Sequence, residues 1–70
     1  MKNTIKVERA KMNLTQADLA EKVGVSRQTI NSIEKGRFVP STLLSLKIAH
    51  VFSEKVDNIF FLEEEDWESS

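Results

Sequence analysis

A run of polar side chains in the second quarter of the chain is the part of this sequence best suited to specific chemistry. Arg27, Gln28, Asn31 and Ser32 fall on the side of a helical wheel opposite the isoleucines of the same stretch. A guanidinium donates two parallel hydrogen bonds, as guanine O6 and N7 require, and a carboxamide donates and accepts, as adenine requires. The pattern therefore favours recognition of base edges, against the plainer interpretation of a solvated polar helix face.

The residues needed for catalysis do not accompany this run. The 70-residue chain has no cysteine and one histidine, His50, which shares a helix face with Lys47 and Glu54. We therefore expect no thiolate or multi-histidine metal site, no nucleophile paired with a base, and no cofactor. The sequence predicts that the protein is not an enzyme, and a domain this small is not expected to enclose a small-molecule pocket.

The sequence also lacks signals for membranes and export. No apolar run approaches the roughly 20 residues that a membrane span needs. The N-terminal stretch MKNTIKVERAK is too charged for a secretory signal. We expect a cytoplasmic protein with no membrane partner.

Charge is divided unevenly along the chain. Residues 1–37 hold eight basic and four acidic side chains, a net charge of +4, whereas residues 38–70 hold two basic and seven acidic, a net charge of −5. The overall charge of −1 conceals this polarity. A basic half suits a polyanionic partner, and the acidic half is expected to face away from it.

Two short helices joined by a tight turn are predicted to position the polar run. The first covers residues 16–22 and is capped by Thr15, with Asp18 three residues later as in a capping box. The turn covers 23–25 and includes Gly24, which enters the left-handed region without a Cβ penalty. The second helix covers 26–35.

The spacing of this segment resembles a known family. The segment reads Gln16-xxx-Ala20-xxx-Gly24-xxxxx-Ile30-xxx-Glu34-x-Gly36, which is similar to the helix-turn-helix of lambdoid phage repressor and Cro proteins and of Xre-type regulators. The resemblance implies an all-α, compact five-helix DNA-binding domain over residues 1–62, with the helix-turn-helix at 16–35. It leaves open a short C-terminal strand near 60–64, and residues 63–70 would form an acidic tail.

The resemblance also implies roles for individual residues. The base-reading residues would be Arg27, Gln28 and Ser32. Contacts to the DNA backbone would come from Gln16, Thr29, Asn31, Lys35 and Arg37. A partly buried ion pair between Arg9 and Glu34 would tie the first helix to the reading helix.

The end of the domain is expected to hold the contact with a second subunit. Val39 is expected in the core, a central apolar helix begins at Ser41, and a short fifth helix is predicted from Val56 to about residue 60. The strongly apolar end of the domain is either core filling or a dimer contact, and the candidates for such a contact are Ile59, Phe60, Phe61, Leu62 and Trp67. The acidic tail is expected to be solvated, with Trp67 as an anchor on the partner as the second interpretation.

The sequence is consistent with two functions. The first is a sequence-specific double-stranded DNA-binding transcriptional regulator, a repressor that acts as a homodimer on an operator with inverted half-sites. The second is a protein-binding module or antitoxin that keeps the fold without reading DNA, which the acidic half favours. The polarity and charge of the reading helix favour the first.

Overall fold

The computed structural model describes residues 1–68 and is built mainly of short helices. In chain order, the elements are β1 (Lys2–Asn3), α1 (Ile5–Lys11), α2 (Gln16–Val23), α3 (Arg27–Glu34), α4 (Thr42–Val51), a 3₁₀ turn (Val56–Asn58), β2 (Phe60–Phe61) and a second 3₁₀ turn (Glu64–Trp67).

Side-chain caps fix where α2, α3 and α4 begin. The Thr15 hydroxyl accepts a hydrogen bond from the Asp18 amide, and the Asp18 carboxylate accepts one from the Thr15 amide, which completes the predicted capping box. Ser26 caps α3 and Ser41 caps α4 through the hydroxyl alone, which accepts a hydrogen bond from the main-chain amide three residues later. Each such cap contributes about 1 kcal/mol because it satisfies an amide that the helix leaves free.

The turn between α2 and α3 depends on glycine. Gly24 has a φ of 79°, in the left-handed region, and its amide donates to the carbonyl of Ala20. Ala20 itself is buried where α2 and α3 pack together. A small side chain at the crossing and a left-handed residue at the bend set the angle at which α3 leaves α2.

A single apolar core holds the helices together. Its fully buried members come from α1, α2, α3, α4 and the segment before β2, and they are Ile5, Leu19, Ile30, Ile33, Ile48 and Ile59. Burial of each such side chain contributes roughly 1.5–3 kcal/mol. Because α3 places two isoleucines in this core, its opposite face must point outward.

A two-stranded antiparallel ribbon joins the two ends of the domain. Lys2 pairs with Phe61 and Asn3 with Phe60. The Asn3 side chain also donates from Nδ2 to the carbonyl of Ile33 at 2.9 Å, at the C-terminal end of α3. The ribbon therefore holds the last turn of α3 as well as the two ends of the domain.

The prediction of a fifth helix is wrong. Within residues 1–68 there are four α-helices, and Val56–Asn58 forms only a single 3₁₀ turn. The next residue, Ile59, is fully buried, and its carbonyl accepts a hydrogen bond from the Thr4 amide at 2.9 Å. The chain must be extended from there onward to pair with β1, so the helix cannot continue. The predicted C-terminal strand exists but spans only Phe60–Phe61.

Several expectations about exposure also need correction. Ile59 and Phe60, two of the five dimer-contact candidates, are buried in the core of their own chain, which leaves Phe61, Leu62 and Trp67 exposed. Val39, expected in the core, is 62% exposed. The central helix α4 buries one side only and leaves Leu43 and Leu46 largely exposed.

The acidic tail is largely exposed, and it begins with a short 3₁₀ turn. Glu63 and Asp66 form a capping box around the second 3₁₀ turn. The amino group of Met1 lies 2.9 Å from Glu63 Oε1 and 3.2 Å from Asp66 Oδ2. Trp67 is exposed at the end of this turn. Residues 69 and 70 of the predicted tail lie outside the described part of the chain.

Candidate nucleic-acid interface

Helix α3 presents the predicted base-reading residues on its outward side. Arg27 and Gln28, in the first turn, are exposed, and Ser32 lies one turn further along, half-buried. Ile30 and Ile33 occupy the opposite side and are buried. The three predicted readers therefore lie on the solvent side of a helix that is anchored from behind.

An open depression continues this surface beyond the helix. It is lined by Ser26, Gln28, Thr29, Ser32, Arg37 and Phe38. Arg37 comes next to the readers because Gly36, with a φ of 74°, turns the chain back after α3, and the Arg37 amide donates to the carbonyl of Ser32. Lys35 and Arg37 are both exposed at this end.

An ion pair holds α1 against the far end of α3. Arg9 Nε donates to Glu34 Oε2 at 2.7 Å, and a terminal guanidinium nitrogen of Arg9 donates to Glu34 Oε1 at 3.1 Å. The other terminal nitrogen donates to the carbonyl of Leu14 at 2.9 Å. The hydrogen bonds to Glu34 raise the pKa of the Arg9 guanidinium above its ordinary value, so the positive charge is fixed.

Gln16 connects this ion pair to the exposed face of α3. Its amide nitrogen donates to Asn31 Oδ1 at 3.1 Å and to Glu34 Oε1 at 3.2 Å. Its amide oxygen accepts a hydrogen bond from the Arg27 guanidinium at 3.2 Å. Residues from α1, α2 and α3 thus form one continuous chain of hydrogen bonds that ends at a predicted reader.

Helix α2 approaches the same surface with its N-terminus. The capping box uses the Asp18 carboxylate, whose pKa is lowered chiefly by the hydrogen bond from the Thr15 amide. The main-chain amides of the first residues of a helix carry partial positive charge and point outward. Gln16 is the first residue of α2 and is half-buried beside α3.

The structure brings together some of the predicted site residues and adds others. Gln16, Asn31 and Arg27 meet through their side chains, whereas Gln28, Ser32 and Arg37 meet around the depression. Sequence reasoning did not find the contact between Gln16 and Arg27, since the two lie on different helices. It also missed Asn3, because a two-residue strand carries no periodicity that would reveal it.

Comparison with known proteins identifies the family. A family model described as Helix-turn-helix matches residues 5–58, which is more than half of the chain. An uncharacterized HTH-type transcriptional regulator of Methanocaldococcus jannaschii is 54% identical over 66 residues, covering 94% of this chain and all of that protein. The HTH-type regulator YgzD of Bacillus subtilis is 53% identical with the same coverage.

Solved structures show the same architecture. The clp gene regulator ClgR of Corynebacterium glutamicum superposes with a TM-score of 0.70 at 29% identity, over 74% of this chain and 55% of that chain. The SOS-response transcriptional repressor LexA of Eubacterium rectale superposes with a TM-score of 0.75 over 94% of this chain and 70% of that chain. At 24% identity, the second likeness shows the fold alone.

None of the helices in residues 1–68 is long and apolar enough to cross a bilayer. The matching family model, the regulators about half identical over nearly the whole length, and the shared fold agree with the geometry of α2 and α3. The chain belongs to the Xre-like helix-turn-helix family of DNA-binding transcriptional regulators.

Proposed function

We propose that the protein binds specific sequences of double-stranded DNA by inserting α3 into the major groove. The observation that carries the proposal is the division of α3 into a face buried by Ile30 and Ile33 and a face that exposes Arg27 and Gln28. An α-helix with its side chains is about 10–12 Å across, which matches the roughly 12 Å width of the major groove. Its N-terminal turn, the part that reaches deepest in such docking, holds two side chains with two-point hydrogen-bonding geometry.

Base reading and backbone contact are assigned to different residues. Arg27, Gln28 and Ser32 contact base edges, and a bidentate pair contributes about 1–3 kcal/mol of discrimination against the wrong base. Lys35 and Arg37, exposed beyond the end of α3, contact phosphates. Thr29 and Asn31 flank the readers near the backbone, and Gln16 offers its main-chain amide at the start of α2 to a phosphate oxygen.

We propose that the functional unit is a homodimer with two-fold symmetry. Two copies of α3 then occupy major grooves about one helical turn, roughly 34 Å, apart, and the operator consists of inverted half-sites. Two exposed apolar patches are available for the contact: a C-terminal patch (Phe61, Leu62 and Trp67) and an α4 patch (Val39, Leu43 and Leu46). Apolar side chains exposed this far on so small a domain are typical of an interface.

Repression in the cytoplasm is the proposed mode of action. A dimer seated across a promoter excludes other proteins from the same duplex by occupying its grooves, and this requires no further contact surface. The activity that we propose is binding rather than catalysis, and it requires no cofactor.

Selection of bound duplexes from a random pool tests the proposal directly. We expect the wild-type protein to enrich one motif with inverted symmetry. Arg27→Ala should then lose discrimination at one base pair in each half-site, because only the contact to that base is removed. Lys35→Ala should weaken binding to all sequences alike and reduce the slope of log K against log salt by about 0.9 for each phosphate that is no longer neutralised.

A control variant with the same change in net charge distinguishes the loss of a specific DNA contact from the loss of positive charge alone. Lys47→Ala removes one positive charge from α4, a helix to which none of the proposed DNA contacts is assigned, and is expected to leave both the motif and the salt slope unchanged. Failure of the wild-type protein to enrich any motif would refute sequence-specific binding, and equal effects of the Lys35 and Lys47 changes would refute the assignment of Lys35 to phosphate.

A further inference from the structure

We propose that the amino group of Met1 regulates DNA binding: it holds the acidic tail away from Lys35, and acylation of this amino group weakens binding to DNA. The proposal rests on the proposed function above, in which Lys35 contacts a phosphate, and it adds a modification site that acts on the same surface. The amino group and the two carboxylates that hold it, those of Glu63 and Asp66, form what we call the N-terminal clasp.

The two acidic side chains of the clasp converge because their backbone is folded into a capping box. The amide of Glu63 donates to Asp66 Oδ2 at 2.7 Å, and the Glu63 side chain accepts a hydrogen bond from the Asp66 amide. The two carboxylates are therefore held close together at the start of the second 3₁₀ turn. Because like charges this close repel each other, a cation between them is favoured.

The amino group of Met1 supplies this cation. It lies 2.9 Å from Glu63 Oε1 and 3.2 Å from Asp66 Oδ2. The tail alone does not fix its position, because Lys2 pairs with Phe61 in the ribbon and the Met1 side chain packs against the apolar core. The hydrogen bond to Glu63 raises the pKa of the amino group above its ordinary value of 8.0, so the group is positively charged at neutral pH.

The clasp lies beside the end of α3 whose side chains are proposed to contact phosphate. The carbonyl oxygen of Met1 lies against Gly36, where a Cβ would be 3.7 Å from it. Glu63 of the clasp and Lys35 line the same open depression, and Lys2 also borders it. Among residues 1–68, no carboxylate forms a salt bridge with Lys35, so its ammonium group is available to a phosphate.

Acylation removes the charge that holds the tail. The ammonium group loses a proton, its nitrogen forms a bond to the carbonyl carbon of an activated acyl donor such as a thioester, and the C–S bond breaks. The thiol leaves with a second proton from the nitrogen. The product is an uncharged amide with one N–H donor, whereas the ammonium group has three donors for the two carboxylates.

Loss of the clasp places an uncompensated carboxylate next to a residue that is proposed to bind DNA. Glu63 then has no cation of its own in a depression that also holds Lys35. A carboxylate beside a lysine competes with a DNA phosphate for the same positive charge. The free amino group of Met1 therefore keeps Lys35 available to DNA.

Chemical synthesis of the 70-residue chain gives proteins that differ only at the Met1 nitrogen. The free and the Nα-acetylated proteins are compared on the duplex recovered by selection with the wild-type protein and on an unrelated duplex. Loss of one exposed charge contact predicts an affinity about two to five times lower for the acetylated protein on both duplexes. The slope of log K against log salt should fall by up to about 0.9. The Nα-methylated protein keeps the charge and two N–H donors, so it should behave as the free form.

Three substitutions locate the effect of acetylation. Lys35→Gln lowers affinity by itself, and acetylation should add nothing in that background because the charge under competition is gone. Glu63→Gln should also abolish the effect, whereas Lys2→Gln, which removes the other lysine of the depression, should leave it intact. Fluorescence anisotropy of Trp67, the one tryptophan of the sequence, is a readout without DNA. It should fall on acetylation because the turn that carries Trp67 loses its anchor.

The possible results distinguish the clasp from the proposed function. Equal binding by the free and acetylated proteins, an acetylation effect that persists in Lys35→Gln, or an unchanged Trp67 anisotropy would overturn the role of the amino group and leave DNA recognition intact. An intact mass of the cellular protein that shows Met1 removed or extended would overturn it too, because the clasp would not exist. Absence of any enriched motif with the wild-type protein would instead refute the proposed function. A loss of affinity shared by both duplexes, confined to proteins that keep Lys35 and Glu63 and accompanied by lower anisotropy, supports the proposal.

Discussion

Replacement of Arg9 by methionine should remove a large part of the stability of this domain. The guanidinium makes two contacts to Glu34, at 2.7 and 3.1 Å, and one to the Leu14 carbonyl at 2.9 Å. The side chains of Arg9 and Glu34 are only 14% and 8% exposed. Methionine retains the apolar stem but leaves the Glu34 carboxylate with Gln16 as its remaining hydrogen-bond partner within residues 1–68.

The magnitude follows from this burial. Breaking a buried ion pair by removing one partner costs about 3–5 kcal/mol, and residual exposure places this pair near the lower limit, at about 3 kcal/mol. At roughly 0.05–0.15 kcal/mol per residue, a chain of this length has a total stability of about 3.5–10 kcal/mol. The variant should therefore unfold at far lower denaturant concentration, and Arg9→Lys, which keeps the charge but loses the two-point geometry, should be intermediate.

Urea unfolding followed by far-UV circular dichroism measures the effect, with the free energy of unfolding extrapolated linearly to water. Lys11→Met is the control in the same helix, since Lys11 pairs with Glu8 at 3.2 Å but is 66% exposed. Such a surface pair contributes about 0–1 kcal/mol. If the Arg9 and Lys11 variants lost the same stability, the ion pair would not have the structural role that its geometry indicates.

Three other predictions concern the cap, the ribbon and the dimer. The hydrogen bond from the Thr15 amide is the main reason why the pKa of Asp18 is lowered from 3.8. The ionised Asp18 therefore stabilises the fold above pH 3.8, and this contribution is lost as the pH falls through the lowered pKa. Asp18→Asn should flatten the decline of the unfolding temperature in acid, and an unchanged decline would contradict this. Asn3→Ala removes the donor to the last turn of α3 and should cost about 1 kcal/mol and speed amide hydrogen exchange at the end of α3 more than in α2. Sedimentation equilibrium of Leu43→Glu and Leu62→Glu, at side chains 63% and 61% exposed, tests the two apolar patches. The substitution that lies in the true dimer interface should convert the dimer to monomers, and a dimer unaffected by either substitution would exclude both patches.

Local signals in the sequence account for most of the helical framework. The Thr15 capping box, Gly24 in the left-handed region and the Ser41 cap are all predictable from residues adjacent in the chain. The inward position of Ile30 and Ile33 follows from helical spacing, and with it the outward position of the polar face. These features depend on neighbours within a few residues, which a sequence displays directly.

The features that sequence reasoning misses depend on partners far apart in the chain. Pairing of Asn3 with Phe60 ends the segment predicted as a fifth helix, and nothing near either residue signals this pairing.

The prediction that Val39 lies in the core rests on its apolar character alone, although apolar residues are common on protein surfaces.

The candidate site is also predictable only where it depends on residues close together in the chain. Which residues of α3 face outward is predictable, because the helix period decides it. The hydrogen bonds that join Gln16 to Arg27, Asn31 and Glu34 are not, because they depend on the distance and angle between α2 and α3. Those quantities emerge only when the helices are packed.

The pairing of Lys2 with Phe61 has a consequence for synthesis of the chain on the ribosome. Residues 2–3 must wait for a segment some sixty positions later in the chain before they find their strand partner. The ribbon that also holds the last turn of α3 therefore stays open while that segment is being made. Closure over so long a stretch is entropically costly and slow compared with formation of the helices between. The helix pair at the centre can therefore form early, whereas the mature surface is completed only once β2 has left the ribosome.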